Sequence, residues 1–322
     1  MIHISVDGLR SDAITTLGAG NAPNFFRLRT EGAFTDNART EAEYTNTLPN
    51  HTSMLTGRGV NGTSGHNYTS NVLPAPSTTL HSVKCSYVAS VFDVAHDHGL
   101  STGLYASKDK FVIYEQSYNG VSGAVDTTGA DNGRDKIDSW VYDSNTAQLV
   151  TSYLNDMANA PHNYSLLHLR DPDSAGHGNT WDLSPGSAYL NAVVAVDGLR
   201  GSVLGQVEGD PQLVGKTAII LTADHGGGLG THGHSPDDDP ENYTIPFYVW
   251  GPGVGSGENL YALNLFSRAN PGNDQPAYSD SGQPIRNADS GNLALDLLGL
   301  GPIAGSTINA NQDLDRKSTR LN

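Results

Sequence analysis

Three groups of carboxylate and imidazole residues stand out along the 322-residue chain. Asp7 closes the apolar opening Ile2-His3-Ile4-Ser5-Val6 and is followed by Gly8, which permits a sharp turn. Asp173-Ser-Ala-Gly-His177 comes just past the run ending in His168-Leu169. Asp224-His225 comes just past Thr217 to Thr222, with His232-Gly-His234 a little further on. Carboxylate oxygens and imidazole nitrogens suit Zn²⁺ and related divalent ions, and a two-metal centre needs about six of them converging. Singly, each group is weak. With 12 His and 34 acidic residues, an isolated Asp-x-x-x-His more often marks a solvated turn or helix face, and an Asp after a strand also caps the next helix. All three just past apolar runs require several coincidences at once. A fourth pattern, Lys108-Asp-Lys110, follows Thr102 to Ala106, and residues two apart in an extended segment share a face. Two solvated lysines on an acidic protein account for that pair equally well.

For these residues to meet, the runs before them must be neighbouring strands. Short β-branched runs alternate with helix-period segments, which predicts an α/β fold with a mostly parallel sheet sandwiched between helices. Strands are expected at Ile2 to Val6, Thr102 to Ala106, Tyr164 to Leu169, Thr217 to Thr222 and Ile245 to Trp250. The clearest helix follows Pro185, where Tyr189, Ala192, Val193, Val196, Leu199 and Val203 form one apolar stripe. Val88 to His98 and Ser290 to Leu298 read as weaker helices. In open α/β sheets the carboxyl ends of the strands form the ligand crevice, so function is expected on that edge. One catalytic domain is expected over residues 1–315, with a loop-rich excursion at about 253–287. Residues 316–322, holding three of the 18 basic residues, read as a non-native tail.

Composition narrows the function. A net charge of -16 argues against binding a nucleic-acid polymer, whose affinity depends on clustered Lys and Arg. At 37% hydrophobic residues, without long apolar runs, no membrane span is expected. Cys85 is the only cysteine, so a disulfide framework is excluded within the chain. Asn-x-Ser/Thr triplets begin at Asn50, Asn61, Asn67, Asn163 and Asn242, as chance allows in a chain rich in Asn and Thr. Scarce Lys and abundant Asp, Asn, Ser and Thr suit an exported protein, extracellular or periplasmic. The opening strand begins directly after Met1, so export implies a leader absent from this chain, and a cytoplasmic protein is the alternative.

Between the first two groups lies Thr47-Leu-Pro-Asn-His51, then Met54-Leu-Thr-Gly-Arg58. With Val6-Asp7-Gly8, Pro172-Asp-Ser-Ala-Gly-His177 and Ala223-Asp-His-Gly-Gly227, this ordered set resembles the alkaline phosphatase superfamily. The closest resemblance within it is to the type I phosphodiesterase/nucleotide pyrophosphatase family, from Ile2 to about Gly253. The resemblance implies metal-dependent hydrolysis of a small phosphorylated substrate, of phosphodiester or nucleotide pyrophosphate type with some phosphomonoesterase activity, through a phospho-threonine on Thr47. It implies two divalent ions, Zn first among them, one held by Asp7, Asp224 and His225 and the other by Asp173, His177 and a later histidine. His232 is preferred for that last place, with His234 the weaker candidate. It also implies an Asn amide on a nonbridging phosphoryl oxygen, a role carried to Asn71 by counting from His66, with Asn67 the weaker candidate. Lys108 and Lys110 are similar to a Lys-x-Arg pair that binds the extra charge of a monoester in threonine-type members. Rival readings are a monoesterase or phosphonate hydrolase on the same scaffold, and a noncatalytic Ca²⁺-binding surface protein using Asp237-Asp-Asp239. A sulfatase would usually carry Cys or Ser in place of Thr47.

Overall fold

The computed structural model describes residues 1–127, 129 and 133–318. A mixed sheet flanked by helices carries strands β1 (Ile2–Val6), β2 (Ala33–Arg39), β3 (Thr102–Ala106), β4 (Ser139–Tyr142), β5 (Tyr164–Leu169), β6 (Ile219–Thr222), β7 (Thr244–Trp250) and β8 (Glu258–Asn259). Their order is β4-β3-β5-β1-β6-β7-β2-β8. β3 is parallel to β4 and β5, β2 is parallel to β8, and β7 is antiparallel to both β6 and β2. The expected α/β class with a mostly parallel sheet is therefore found. β1, β3 and β5 have the expected bounds and are buried at every residue, as strands covered on both faces must be. β6 starts later than expected, because its ladder opens at Ile219 opposite Trp250. β2, β4 and β8 were not expected.

The chain packs as two compact units. The first comprises Met1–His3, Asn46–His168 and Ala288–Gln312. Its centre is the helix Thr47–Thr56, in contact with the helices Val91–Asp97 and Asp289–Leu297 and buried at all ten positions. Burying so polar a helix requires internal partners: the Thr52 and Thr56 hydroxyls donate to the carbonyls of Leu48 (2.8 Å) and Thr52 (2.7 Å). Gly57 ends it in the left-handed conformation, at φ 60°.

The second unit comprises Ile4–Thr45, Leu169–Asn287 and the residues from Asp313. Its long helix, Ala188–Gly209, buries Tyr189, Val193, Val196 and Val203 of the expected stripe and packs on the helices Asp171–Asn179 and Pro23–Glu31. Buried Asp197 accepts from the backbone N–H groups of Asn24 (3.1 Å) and Phe25 (2.6 Å), capping the helix that starts there. The excursion at 253–287 holds only β8 and a helical turn, Leu260–Leu263, and ends in buried Ile285, Arg286 and Asn287. Of the supposed tail, Arg316 accepts from the Gly255 N–H at 2.8 Å, and residues 319–322 lie outside the described residues. Among the described residues, no helix is long and apolar enough to cross a membrane.

Candidate active site

In the second unit the ends of three strands bring the acidic groups together. The Asp7 N–H donates to the Leu169 carbonyl (2.9 Å) and the Asp173 N–H to the Asp7 carbonyl (3.1 Å), tying the segments after β1 and β5. Gly8 makes this approach feasible. Its φ is +69°, and a Cβ there would lie 2.8 Å from the Cα of Asp173. The Gly8 and His225 N–H groups both donate to Asp224 Oδ1, at 3.1 and 2.9 Å. Asp224 Oδ2 then faces His225 Nε2 at 3.2 Å, while Asp7 Oδ1 lies 3.4 Å and Asp173 Oδ1 3.9 Å from the same nitrogen. Asp7, Asp173, Asp224 and His225 are all buried.

The tautomer of His225 follows from its other contact. Nδ1 lies 2.9 Å from the Gly226 carbonyl, which can only accept, so Nδ1 carries a hydrogen and Nε2 is the atom turned to the carboxylates. A metal-ligating histidine commonly donates its second ring N–H to a carbonyl in this way. His234 stacks on His225, with centroids 3.7 Å apart and planes 19° from parallel, and burial pushes its pKa down to about 3, so it is neutral. Its buried Nδ1 has no hydrogen-bond partner. Two overlapping donor sets result, Asp7/Asp224/His225 and Asp173/His225/His234, each with its ligand atoms within 4.8 Å of one another. Buried carboxylates around an imidazole nitrogen, with an orphaned imidazole nitrogen beside them, fit divalent metal ions.

His177 and His232 lie further out than His234. His177 sits at the margin, its side chain 46% exposed and its Nε2 3.3 Å from Asp173 Oδ1. His177 Nδ1 donates to the His232 carbonyl (2.6 Å), and His232 Nδ1 donates to the His177 carbonyl (2.9 Å), a reciprocal clasp. The geometry places the two candidate histidines differently. His232 is exposed and engaged with backbone, while His234 turns inward, its carbonyl held by the Thr45 hydroxyl.

Supporting residues unmarked in the sequence surround the cluster. Tyr189 donates to the Gly8 carbonyl (2.8 Å) and accepts from the Arg10 N–H (2.9 Å), and Arg10 Nη1 donates to the Gly227 carbonyl (2.9 Å). Trp181 is fully buried against Gly176 and Gly227, where an added Cβ would lie 2.2 and 1.9 Å from its ring. Its role is packing, as is usual for a buried tryptophan.

In the first unit Thr47 opens the buried helix Thr47–Thr56, where backbone N–H groups and the helix dipole favour negative charge. Lys108 Nζ lies 3.5 Å from Thr47 Oγ1. Asn71 Oδ1 accepts from the Leu48 N–H (3.0 Å) and from Lys110 Nζ (2.9 Å). Both lysines thus meet expected site residues and are not merely solvated. The ring of His51 stands edge-on to Phe111 and His168, and its Nδ1 donates to the Thr47 carbonyl at 2.7 Å, so it supports the turn. Asn67 is exposed, left-handed at φ 61°, with its amide nitrogen oriented to the carbonyls of Gly62 (3.0 Å) and Val60 (3.1 Å). It shapes its own loop, and Asn71 is the amide beside Thr47.

A family model for type I phosphodiesterase/nucleotide pyrophosphatase matches residues 1–238. Among curated proteins, GPI ethanolamine phosphate transferase 1 of Emericella nidulans is 32% identical over 178 residues, covering 51% of this chain and 18% of the relative. The Neurospora crassa protein of that name is 31% identical over 177 residues, covering 51% of this chain and 17% of the relative. The chain thus spans less than a fifth of the length of these relatives. Murine ectonucleotide pyrophosphatase/phosphodiesterase 5, solved in an inactive form with AMP, superposes with a TM-score of 0.63 at 15% identity, over 98% of this chain and 99% of that one. A protein in the alkaline phosphatase superfamily from Vibrio parahaemolyticus gives 0.57 at 15% identity, over 94% and 66%. At such identities the likeness is one of fold. With the family match covering most of the chain, the protein belongs to the type I phosphodiesterase/nucleotide pyrophosphatase family, enzymes that process phosphoesters on the alkaline phosphatase fold.

Proposed function

We propose that the protein is a metal-dependent hydrolase of phosphodiesters or nucleotide-type pyrophosphates, with phosphomonoesterase activity, working through a phospho-threonine on Thr47. The observation that carries this reading is the hydroxyl of Thr47 at the first turn of a buried helix with the Lys108 ammonium 3.5 Å away. Asp7, Asp224 and His225 would hold one divalent ion, and Asp173, His234 and His177 the second, with Zn²⁺ the natural choice for such donors. Ions held there would supply Lewis acidity for phosphoester chemistry.

The chain's own groups supply the rest. Thr47 Oγ1 forms the new P–O bond as the bond to the leaving alcohol breaks, and water later cleaves the phospho-threonine, returning the hydroxyl. Lys108 stabilises negative charge on Thr47 Oγ1 and on the phosphoryl group. Asn71, its Oδ1 held by Leu48 N–H and Lys110, keeps its Nδ2 donors for a nonbridging phosphoryl oxygen. The composition suits action outside the cytoplasm on small phosphorylated substrates. Capture of the same intermediate by an alcohol would make a phosphotransferase, the activity in the names of the fungal relatives.

The test is a turnover screen of the metal-loaded protein on a phosphomonoester, a phosphodiester, a dinucleotide and a sulfate ester, with and without an added alcohol. Hydrolysis of the phosphoesters, with the sulfate ester untouched, is expected. Thr47→Ala should lower kcat by at least about a hundredfold with metal content unchanged, because the attacking atom is gone. Activity retained above that level would rule out the covalent route.

A further inference from the structure

We propose that a cavity beside Arg10, lined by none of the metal-site residues, binds a small organic monocation, a primary alkylammonium. The cavity measures about 330 Å³, within the size range of small-molecule sites, and all its lining residues belong to the second unit. Three carboxylates and one guanidinium line it: Asp12, Asp36 and Glu241 against Arg10. Asp36 is neutralised by Arg29, whose Nη2 lies 2.7 Å from Oδ2. Arg10 is divided: it grips Asp12 with two bonds, Nε to Oδ1 at 2.8 Å and Nη2 to Oδ2 at 2.5 Å, and reaches Glu241 Oε1 from Nη2 at only 3.2 Å, while Glu241 Oε2 accepts from the Leu229 N–H. Two carboxylates thus share one guanidinium, which leaves the cavity with one uncompensated negative charge.

A second, independent feature is Ser11. It lines the same cavity and is 6% exposed, and its hydroxyl has no hydrogen-bond partner. A buried hydroxyl left unsatisfied is costly, so an occupant that completes it is favoured. An ammonium group carries three donors and no acceptor, which matches Asp12, Glu241 and the Ser11 oxygen. Thr15, Pro240 and Thr244 complete the wall with mostly carbon surface, suited to an alkyl chain and ill suited to a divalent ion that keeps several waters. The walls are also fixed in advance: Arg10 Nη1 is tied to the Gly227 carbonyl, and the Gly227 N–H donates to the Glu241 carbonyl at 3.0 Å.

The inference does not depend on the hydrolase reading and is tested by binding. The metal-loaded protein is titrated calorimetrically with n-butylammonium chloride, with n-butanol and magnesium chloride as comparison ligands at matched ionic strength. Saturable 1:1 binding of n-butylammonium is expected, with neither comparison ligand competing for it. Asp12→Asn should weaken binding by roughly tenfold or more, as loss of a charged hydrogen-bond partner does. Thr15→Trp, on an exposed helix position, should abolish binding by filling the cavity while every charge remains. That second variant separates the cavity from general attraction to a chain of net charge -16. Absence of saturable binding, binding that survives both substitutions, or equal binding of n-butanol or Mg²⁺ would overturn the assignment.

Discussion

At the scale of single residues, Lys108 and Lys110 offer a test between two chemistries that share one scaffold. A monoester presents a second negative charge that a diester lacks, and under the proposed function the two ammonium groups that meet Thr47 and Asn71 would receive it. Lys108→Ala and Lys110→Ala are expected to lower kcat/KM for a monoester by roughly tenfold more than for a diester, the scale of one charged hydrogen bond. Equal losses on both substrates would leave the pair with a structural role only. The histidines pose a second residue-scale question. His234→Ala should reduce bound metal by elemental analysis, because it removes an inward imidazole from the Asp173/His225 set. His232→Ala should leave metal content closer to that of the parent chain, since it removes only a clasp on the His177 backbone. The opposite ranking would restore His232 as the ligand. The resemblance alone favoured His232, since the choice between residues two apart depends on which ring the loop turns inward.

Among the elements, the helix Val91–Asp97 contains a titrating group with consequences for stability. Asp93 occupies the third helical position in a capping box with Ser90, accepting from its N–H at 2.6 Å and its hydroxyl at 2.8 Å. Burial pushes its pKa up to about 7, against an unfolded value of about 3.9. The folded chain therefore holds this proton more tightly than the unfolded chain does. Its contribution is fully present below about pH 4 and is lost as pH rises towards 7, at up to about 1.4 kcal/mol per pH unit. Asp93→Asn should flatten that part of the profile of Tm against pH between 4 and 7. Parallel curves for the two proteins would refute the assignment. Strands fared unevenly in the sequence for physical reasons. β1, β3 and β5 are buried on both faces, so their apolar runs mark them at full length. β2 carries Asp36 and Asn37 in Ala-Phe-Thr-Asp-Asn-Ala-Arg and shifts register between Thr35 and Ala38, which erases the alternation of a regular strand. β4 is four residues long and lies at the sheet edge, too short and too exposed to declare itself. The residues of the candidate site that follow buried strands stood out for the same reason. Arg10, Tyr189, Thr45 and Glu241 did not, because each acts through a partner distant in sequence.

For the molecule as a whole, the carboxylates that surround His225 lead to a prediction, that stability depends on bound cations. Asp7, Asp173 and Asp224 are buried in a chain already carrying a net charge of -16, and gathering them in one place is unfavourable unless positive charge joins them. A ligand that binds only the folded state at a thousand times its Kd stabilises that state by about 4 kcal/mol. For a chain of this size that corresponds to a rise in Tm of about six degrees. Exhaustive chelation should therefore lower Tm by several degrees and abolish activity together, and two equivalents of Zn²⁺ per chain should restore both. Added NaCl should not substitute, because buried charges are poorly screened by salt while surface repulsion is screened within about 10 Å at 0.1 M. If salt restored Tm as well as Zn²⁺ does, general repulsion across the acidic surface would be the cause. If chelation left Tm unchanged, the buried carboxylates would be balanced by protons and the histidines, and the two-ion reading would fail.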